Sequence, residues 1–154
     1  MKWFDESEID FKQFSGEKLC EKLSLEMYDY NRERWFECDD FVKNALLIID
    51  FDTESNMEGF STPYIGNFSN DYYCKIINAF REIGDNRDAD ILSEALRIDS
   101  YYTELLEGTD GEDESDTIYD EFCNKLDELE KELYLNTDFD MWALLYEYLE
   151  KHVK

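Results

Sequence analysis

Apolar residues return every three or four positions through most of this chain, and that period predicts helices. The clearest case lies in the middle. Ile76, Ile77, Phe80 and Ile83 form a stripe that stops at Gly84, a residue suited to the left-handed backbone that closes many helices. Asp85 or Asn86 then offers a side-chain acceptor to the free amides of a second helix. Its stripe is Ile91, Leu92, Ala95, Leu96 and Ile98. So short a link between two apolar stripes predicts antiparallel packing, with residues 79–95 as the pair that the other segments cover.

The flanking segments extend this pattern. Residues 1–36 are rich in aromatic side chains, among them Trp3, Phe4, Phe11, Phe14, Tyr28, Tyr30, Trp35 and Phe36. Ser7 and Asp10 are placed to begin a helix that Ser15-Gly16 breaks. Leu19, Leu23, Met27 and Tyr30 then recur at helical spacing; Leu23, Leu25 and Met27 also alternate as in a strand, but the intervening Glu and Lys favour helix. Asp39 or Asp40 caps a further helix that buries Phe41, Ala45, Leu46, Ile48 and Ile49 and ends within residues 54–59. Two glycines and the only proline make residues 59–67 a loop, with Phe60 and Tyr64 turned inward. Tyr101, Tyr102, Leu105 and Leu106 suggest a separate short helix. Residues 108–116 (GTDGEDESD) read as a mobile surface loop. Ile118, Phe122, Leu126, Leu129 and Leu133 form a clean stripe. Thr137 or Asp138 caps a last helix with Trp142, Leu145, Tyr148 and Leu149 inside. The fold expected is all-α: one domain over residues 1–154, a bundle of antiparallel helices, with 1–36 as aromatic-rich N-terminal helices and 37–154 as the main core.

Charge changes what this bundle is expected to do. The 154 residues include 40 acids against 15 bases, a formal net charge of -25. Residues 1–37 carry only -4 of it; residues 38–154 carry -21. Such a surface repels phosphates, so direct nucleic-acid binding is not expected. It suits instead a cation-rich protein partner. At 43% hydrophobic and 16% aromatic the chain is too apolar for a solvating tail. No apolar run is long enough to span a bilayer, and no secretory leader is visible. Cys20, Cys38, Cys74 and Cys123 lack paired spacing and fall beside apolar residues, so they are expected as reduced core thiols in a cytoplasmic protein.

Catalytic patterns are few. Residues 47–53 (LIIDFDT) place Asp50-x-Asp52-Thr53 after an apolar run, similar to the first motif of phosphotransferases of the haloacid-dehalogenase type. That chemistry needs a buried strand ahead of the nucleophile and a Mg²⁺ site. Residues 41–49 continue a helical stripe, so Asp50 and Asp52 are expected as helix-end carboxylates. His152 is the only histidine, which leaves no His-based catalyst or zinc site. Asp110–Asp116 lacks the spacing of a calcium loop. Neither a catalytic group, a metal nor a cofactor is expected, and the chain reads as non-enzymatic. What remains is the acidic face. Carboxylates four apart on a helix, such as Asp116 and Asp120 or Glu128 and Glu132, stand about 6 Å apart along the axis. That is close to the spacing of neighbouring phosphates on one DNA strand.

Three segments resemble a bacterial all-helical family, much of it of unknown function, that includes an acidic DNA-mimic protein. They are Ala79-xxx-Ile83-Gly84-xxxx-Ala89-x-Ile91-Leu92-xx-Ala95; Asn56 followed by Gly59-Phe60, Tyr64 and Asn67; and Leu126-Asp127-x-Leu129 running through Leu133-Tyr134 to Leu144-Leu145 and Tyr148. They span about residues 35–152. The second departs from the family pattern, with Glu58-Gly59 in place of paired glycines. In the characterised mimic a dimer presents carboxylates in place of DNA phosphates and sequesters a helix-turn-helix regulator. The resemblance therefore implies a protein-binding role toward a basic regulator and allows a homodimer. The partner-facing residues expected here, from charge, are Asp110, Glu112, Asp113, Glu114, Asp116, Asp120, Glu121, Asp127, Glu128 and Glu132. The same electrostatics suit an immunity protein that blocks a basic nuclease toxin. The remaining alternative is Mg²⁺-dependent phosphotransfer at Asp50 and Asp52.

Overall fold

A computed structural model describes residues 3–5, 7–58 and 69–153. Its helices are α1 (Gly16–Glu26), α2 (Arg32–Trp35), α3 (Asp40–Glu58), α4 (Asn70–Glu82), α5 (Asn86–Glu107), α6 (Glu112–Glu130) and α7 (Met141–Val153), with 3-10 turns at Met27–Asp29 and Tyr134–Asn136. No strand forms among the described residues. The single all-α domain expected from the periodicity is the fold observed. The loop placed at residues 59–67, with Phe60 and Tyr64, lies outside the described residues.

The principal helix pairings run in series: α6 on α5, α5 on α4, α4 on α3, α3 on α7, and α7 on α1. α3 is the hub, because Ala45, Leu46, Leu47, Ile48, Ile49, Asp50 and Phe51 are all buried. Seven consecutive buried positions leave no solvent face, so this stretch is covered from all sides rather than along one stripe. α6 sits at the far end of the series and buries only Phe122 and Leu126. Most of its circumference faces water.

The central α4–α5 hairpin follows the sequence closely. Ser69 Oγ accepts from the Tyr72 amide to start α4, and the Asp85 carboxylate accepts from the Asp88 amide to start α5. Between them Gly84 takes φ +90°, where an L side chain is strained although no atom stands within 4 Å of its missing Cβ. Gly84→Ala is therefore expected to cost about 1–2 kcal/mol through backbone strain alone. Thermal melting would show this as a fall of a few degrees. An unchanged melting temperature would mean that the turn relaxes.

Four boundaries differ from expectation. Ser15-Gly16 starts a helix instead of ending one: Ser15 is extended, and Gly16 enters α1 with φ +52°. The carboxylate of Glu150 on α7 stands 2.9 Å from where a Gly16 Cβ would sit, so the glycine also allows α1 and α7 to approach. No helix begins at Ser7; residues 11–14 make turns. Tyr101 to Leu106 continue α5 without a break, because no glycine or proline interrupts residues 86–107. Asp140, not Thr137 or Asp138, accepts from the third amide ahead of it, Ala143, at the start of α7.

Candidate functional site

The expected loop 108–116 is mostly helix. Only residues 108–111 link α5 to α6, and α6 begins at Glu112 with Glu112, Asp113 and Glu114 in its first turn. Negative side chains there meet the positive end of the helix dipole and the unpaired first amides. The acid density that resembled a loop is a helix-starting signal. The candidate site is thus a long hairpin, residues 86–130, carrying 16 acids and 3 bases, a net of −13. About half of the chain's excess charge lies on these two helices. Arg97 is engaged by Glu94 at 2.5 Å, and the hydrogen bond from Arg97 holds the Glu94 carboxyl below its usual range.

All ten expected partner-facing residues are exposed, but they do not form one array. Asp110 lies in the link, and Glu132 lies beyond the end of α6. The Glu128–Glu132 pair therefore straddles the end of α6, whose C-cap is Lys131. Asp116 and Asp120 both lie within the helix. A second regularity emerges once α6 is continuous: the dipeptides Asp113-Glu114, Asp120-Glu121 and Asp127-Glu128 recur every seven residues. Seven residues make nearly two turns, so the pairs stack along one side, about 10.5 Å apart. Lys125 is the only base in α6. Lys131 reaches Glu128 at 3.1 Å, with both side chains exposed, so this ion pair is weak and open to exchange. Charge on α5 was not anticipated as part of the site. Asp90, Glu104 and Glu107 are exposed there, and Arg81 from α4 pairs with Asp90 at 2.9 Å.

Asp50 and Asp52 occupy the middle of α3, not a helix end, and no strand precedes them. Asp50 is 0% exposed. Its carboxylate accepts from Tyr28 Oη at 2.9 Å, from Tyr72 Oη at 2.6 Å, and from Arg32 Nε and Nη2 at 3.2 and 2.9 Å. Burial, then the adjacent carboxylate, pushes the Tyr72 phenol well above its usual range. Asp52 accepts from Tyr134 Oη at 2.6 Å and from Asn56 Nδ2 at 3.1 Å, while burial raises its carboxyl. Both side chains tie α3 to its neighbours.

The remaining candidates are modest. Among the described residues no group of three or more His, Cys, Asp or Glu is placed to hold a metal ion. The cysteines are free, as expected. Cys20 is buried, and its thiol is pushed up to about 12 chiefly by that burial, whereas Cys74 is exposed and so is not a core thiol. His152 stacks on Phe41 at 5.5 Å beside an open groove of about 860 Å³ between α3, α4 and α7. No helix among the described residues is long and apolar enough to cross a membrane.

Searches of curated proteins and of solved structures returned no match. A family model described as DMP19-like protein matches residues 37–152, from the approach to α3 to the last turn of α7. That span holds the central hairpin, the buried hub and the acidic helix, and the chain therefore belongs to the DMP19-like family.

Proposed function

We propose that this protein is a non-enzymatic binding module whose acidic α5–α6 hairpin occupies the DNA-binding face of a basic regulator. The observation that carries this reading is the −13 held on residues 86–130, with α6 projecting Asp-Glu pairs at a fixed interval from the edge of the bundle. A rigid helix fixes the distances between its carboxylates, so a protein that grips a charged duplex meets a regular array rather than a diffuse cloud. Membership of the DMP19-like family is compatible with such a role. Opposite charge speeds encounter and weakens with salt.

The test is capture from lysate of the source cell at low and high salt, with the captured protein then challenged with duplex DNA. The expected partner is a basic DNA-binding regulator that is released by high salt and by DNA. Neutralising Asp120, Glu121, Asp127 and Glu128 to the matching amides should weaken capture about tenfold or more. The melting temperature should not fall, because these side chains are exposed. A captured regulator that still binds its DNA while bound would overturn mimicry. A nuclease captured instead would redirect the same electrostatics to an immunity role.

A further inference from the structure

Two of the largest apolar side chains left in water stand on the acidic hairpin. Tyr101 on α5 is 55% exposed and Tyr119 on α6 is 46% exposed. They are the outer rings of a four-ring ladder across the seam between the helices. Tyr101 meets Tyr102 edge-on at 5.0 Å, Tyr102 meets Phe122 at 5.6 Å, and Phe122 meets Tyr119 at 6.4 Å. The two inner rings are buried, so each outer ring is backed by a fixed neighbour. A ring held in this way has little freedom left to lose on binding.

Carboxylates rim both ends. Glu104 lies three residues after Tyr101 and Asp116 three residues before Tyr119, each one helical turn away; Asp120 adjoins Tyr119. An apolar partner group would force those carboxylates out of water without a counter-charge. A lysine ammonium can sit over a ring beside an acid, as Lys22 does over Trp3 at 4.8 Å while pairing with Glu26, but it remains strongly hydrated. A guanidinium is more weakly hydrated and lays its plane flat on a ring while its N–H fork reaches an acid. The chain uses this combination internally. Arg32 lies over the Tyr72 ring at 5.2 Å while its Nη2 donates to Asp50 at 2.9 Å.

We propose that Tyr101 and Tyr119, with the acids beside them, are receptors for arginine side chains of the protein partner and make the hairpin select arginine over lysine. This rests on the binding role proposed above and specifies its chemistry. The test uses oligoarginine and oligolysine peptides of equal length, titrated into the full chain at low salt. Oligoarginine is expected to bind the native protein several-fold more tightly, because both cations are drawn to a ring face but the guanidinium is the less hydrated and stacks flat. In the double variant Tyr101→Leu/Tyr119→Leu that preference should vanish, with oligoarginine losing more affinity than oligolysine. The Tyr101→Phe/Tyr119→Phe variant, which keeps both ring faces, should retain it. Equal binding of the two peptides to the native protein would overturn arginine selection and leave the acidic binding role standing. Failure of both peptides to bind would overturn both. A preference that survives the leucine substitutions would place it elsewhere on the molecule.

Discussion

Arg32→Met should lower the folding stability by about 3 kcal/mol or more, the usual result of leaving one partner of a buried ion pair behind. Asp50 is fully enclosed, whereas Arg32 is 45% exposed, so the pair is asymmetric. Removing the arginine leaves a carboxylate inside the hub helix with only the Tyr28 and Tyr72 hydroxyls to satisfy it. Methionine keeps most of the stem that packs near Trp35 and Tyr72, so the measurement isolates charge from packing. Asp50→Asn should cost less, because it removes the charge, keeps one acceptor oxygen, and leaves Arg32 free to turn toward water. In urea the ranking of midpoints should be native, then Asp50→Asn, then Arg32→Met, with the melting temperature of the last down by about 6 °C or more. A stability for Arg32→Met within about 1 kcal/mol of native would show that the two phenols suffice.

This network was not legible in the sequence, and the reason is distance. Tyr28, Arg32 and Tyr72 lie 18 to 22 residues from Asp50, so no local pattern joins them. Seen alone, an aspartate after Leu47-Ile48-Ile49 suggests that an apolar stripe has ended. In fact α3 continues to Glu58, with the carboxylate neutralised from three other segments. The α4–Gly84–α5 hairpin was legible because its determinants are local: a stripe of fixed period, a glycine at positive φ, and a capping aspartate, all within residues 76–98.

The acidic site was legible in composition and less so in shape. Counting charge places the excess after residue 37, but residues 112–116 have no apolar period and so read as a loop. Their contribution to the helix is electrostatic, through the first-turn amides, which periodicity does not register. With α6 starting at Glu112 the seven-residue recurrence of Asp-Glu pairs becomes a geometric feature, and Glu132 drops out of it. The tyrosine ladder was missed for a related reason. Tyr101 and Tyr102 read as a separate short helix, and the packing of Tyr102 on Phe122 across the hairpin leaves no local pattern.

Raising the pH from about 4 to about 8 should progressively destabilise this protein, and Asp88→Asn should remove most of that loss. Asp85 and Asp88 are 1% and 0% exposed at the start of α5. Asp88 accepts from the Tyr134 amide at 3.0 Å through Oδ1, while the Oδ2 atoms of both aspartates have no other donor. Asp88, enclosed beside a second carboxyl, holds its proton. Burial first, then the hydrogen bond and charge of Asp85, push Asp88 up to about 8 from 3.8. The sign follows from that direction. The folded state keeps a proton that the unfolded chain releases, so the contribution is complete below about pH 4, declines as pH rises, and is gone once pH passes about 8. Across that window the slope approaches about 1.4 kcal/mol per pH unit. Asparagine at position 88 preserves the acceptor for Tyr134 and supplies a permanent N–H toward Asp85. The variant should therefore gain stability over native by a margin that widens up to pH 8, measured as urea midpoints at each pH. General repulsion among the surface acids also grows over part of this range, and Asp127→Asn controls for it by removing one exposed charge. That control should run parallel to native. If Asp88→Asn also runs parallel to native, the Asp88 proton is not the source of the pH dependence.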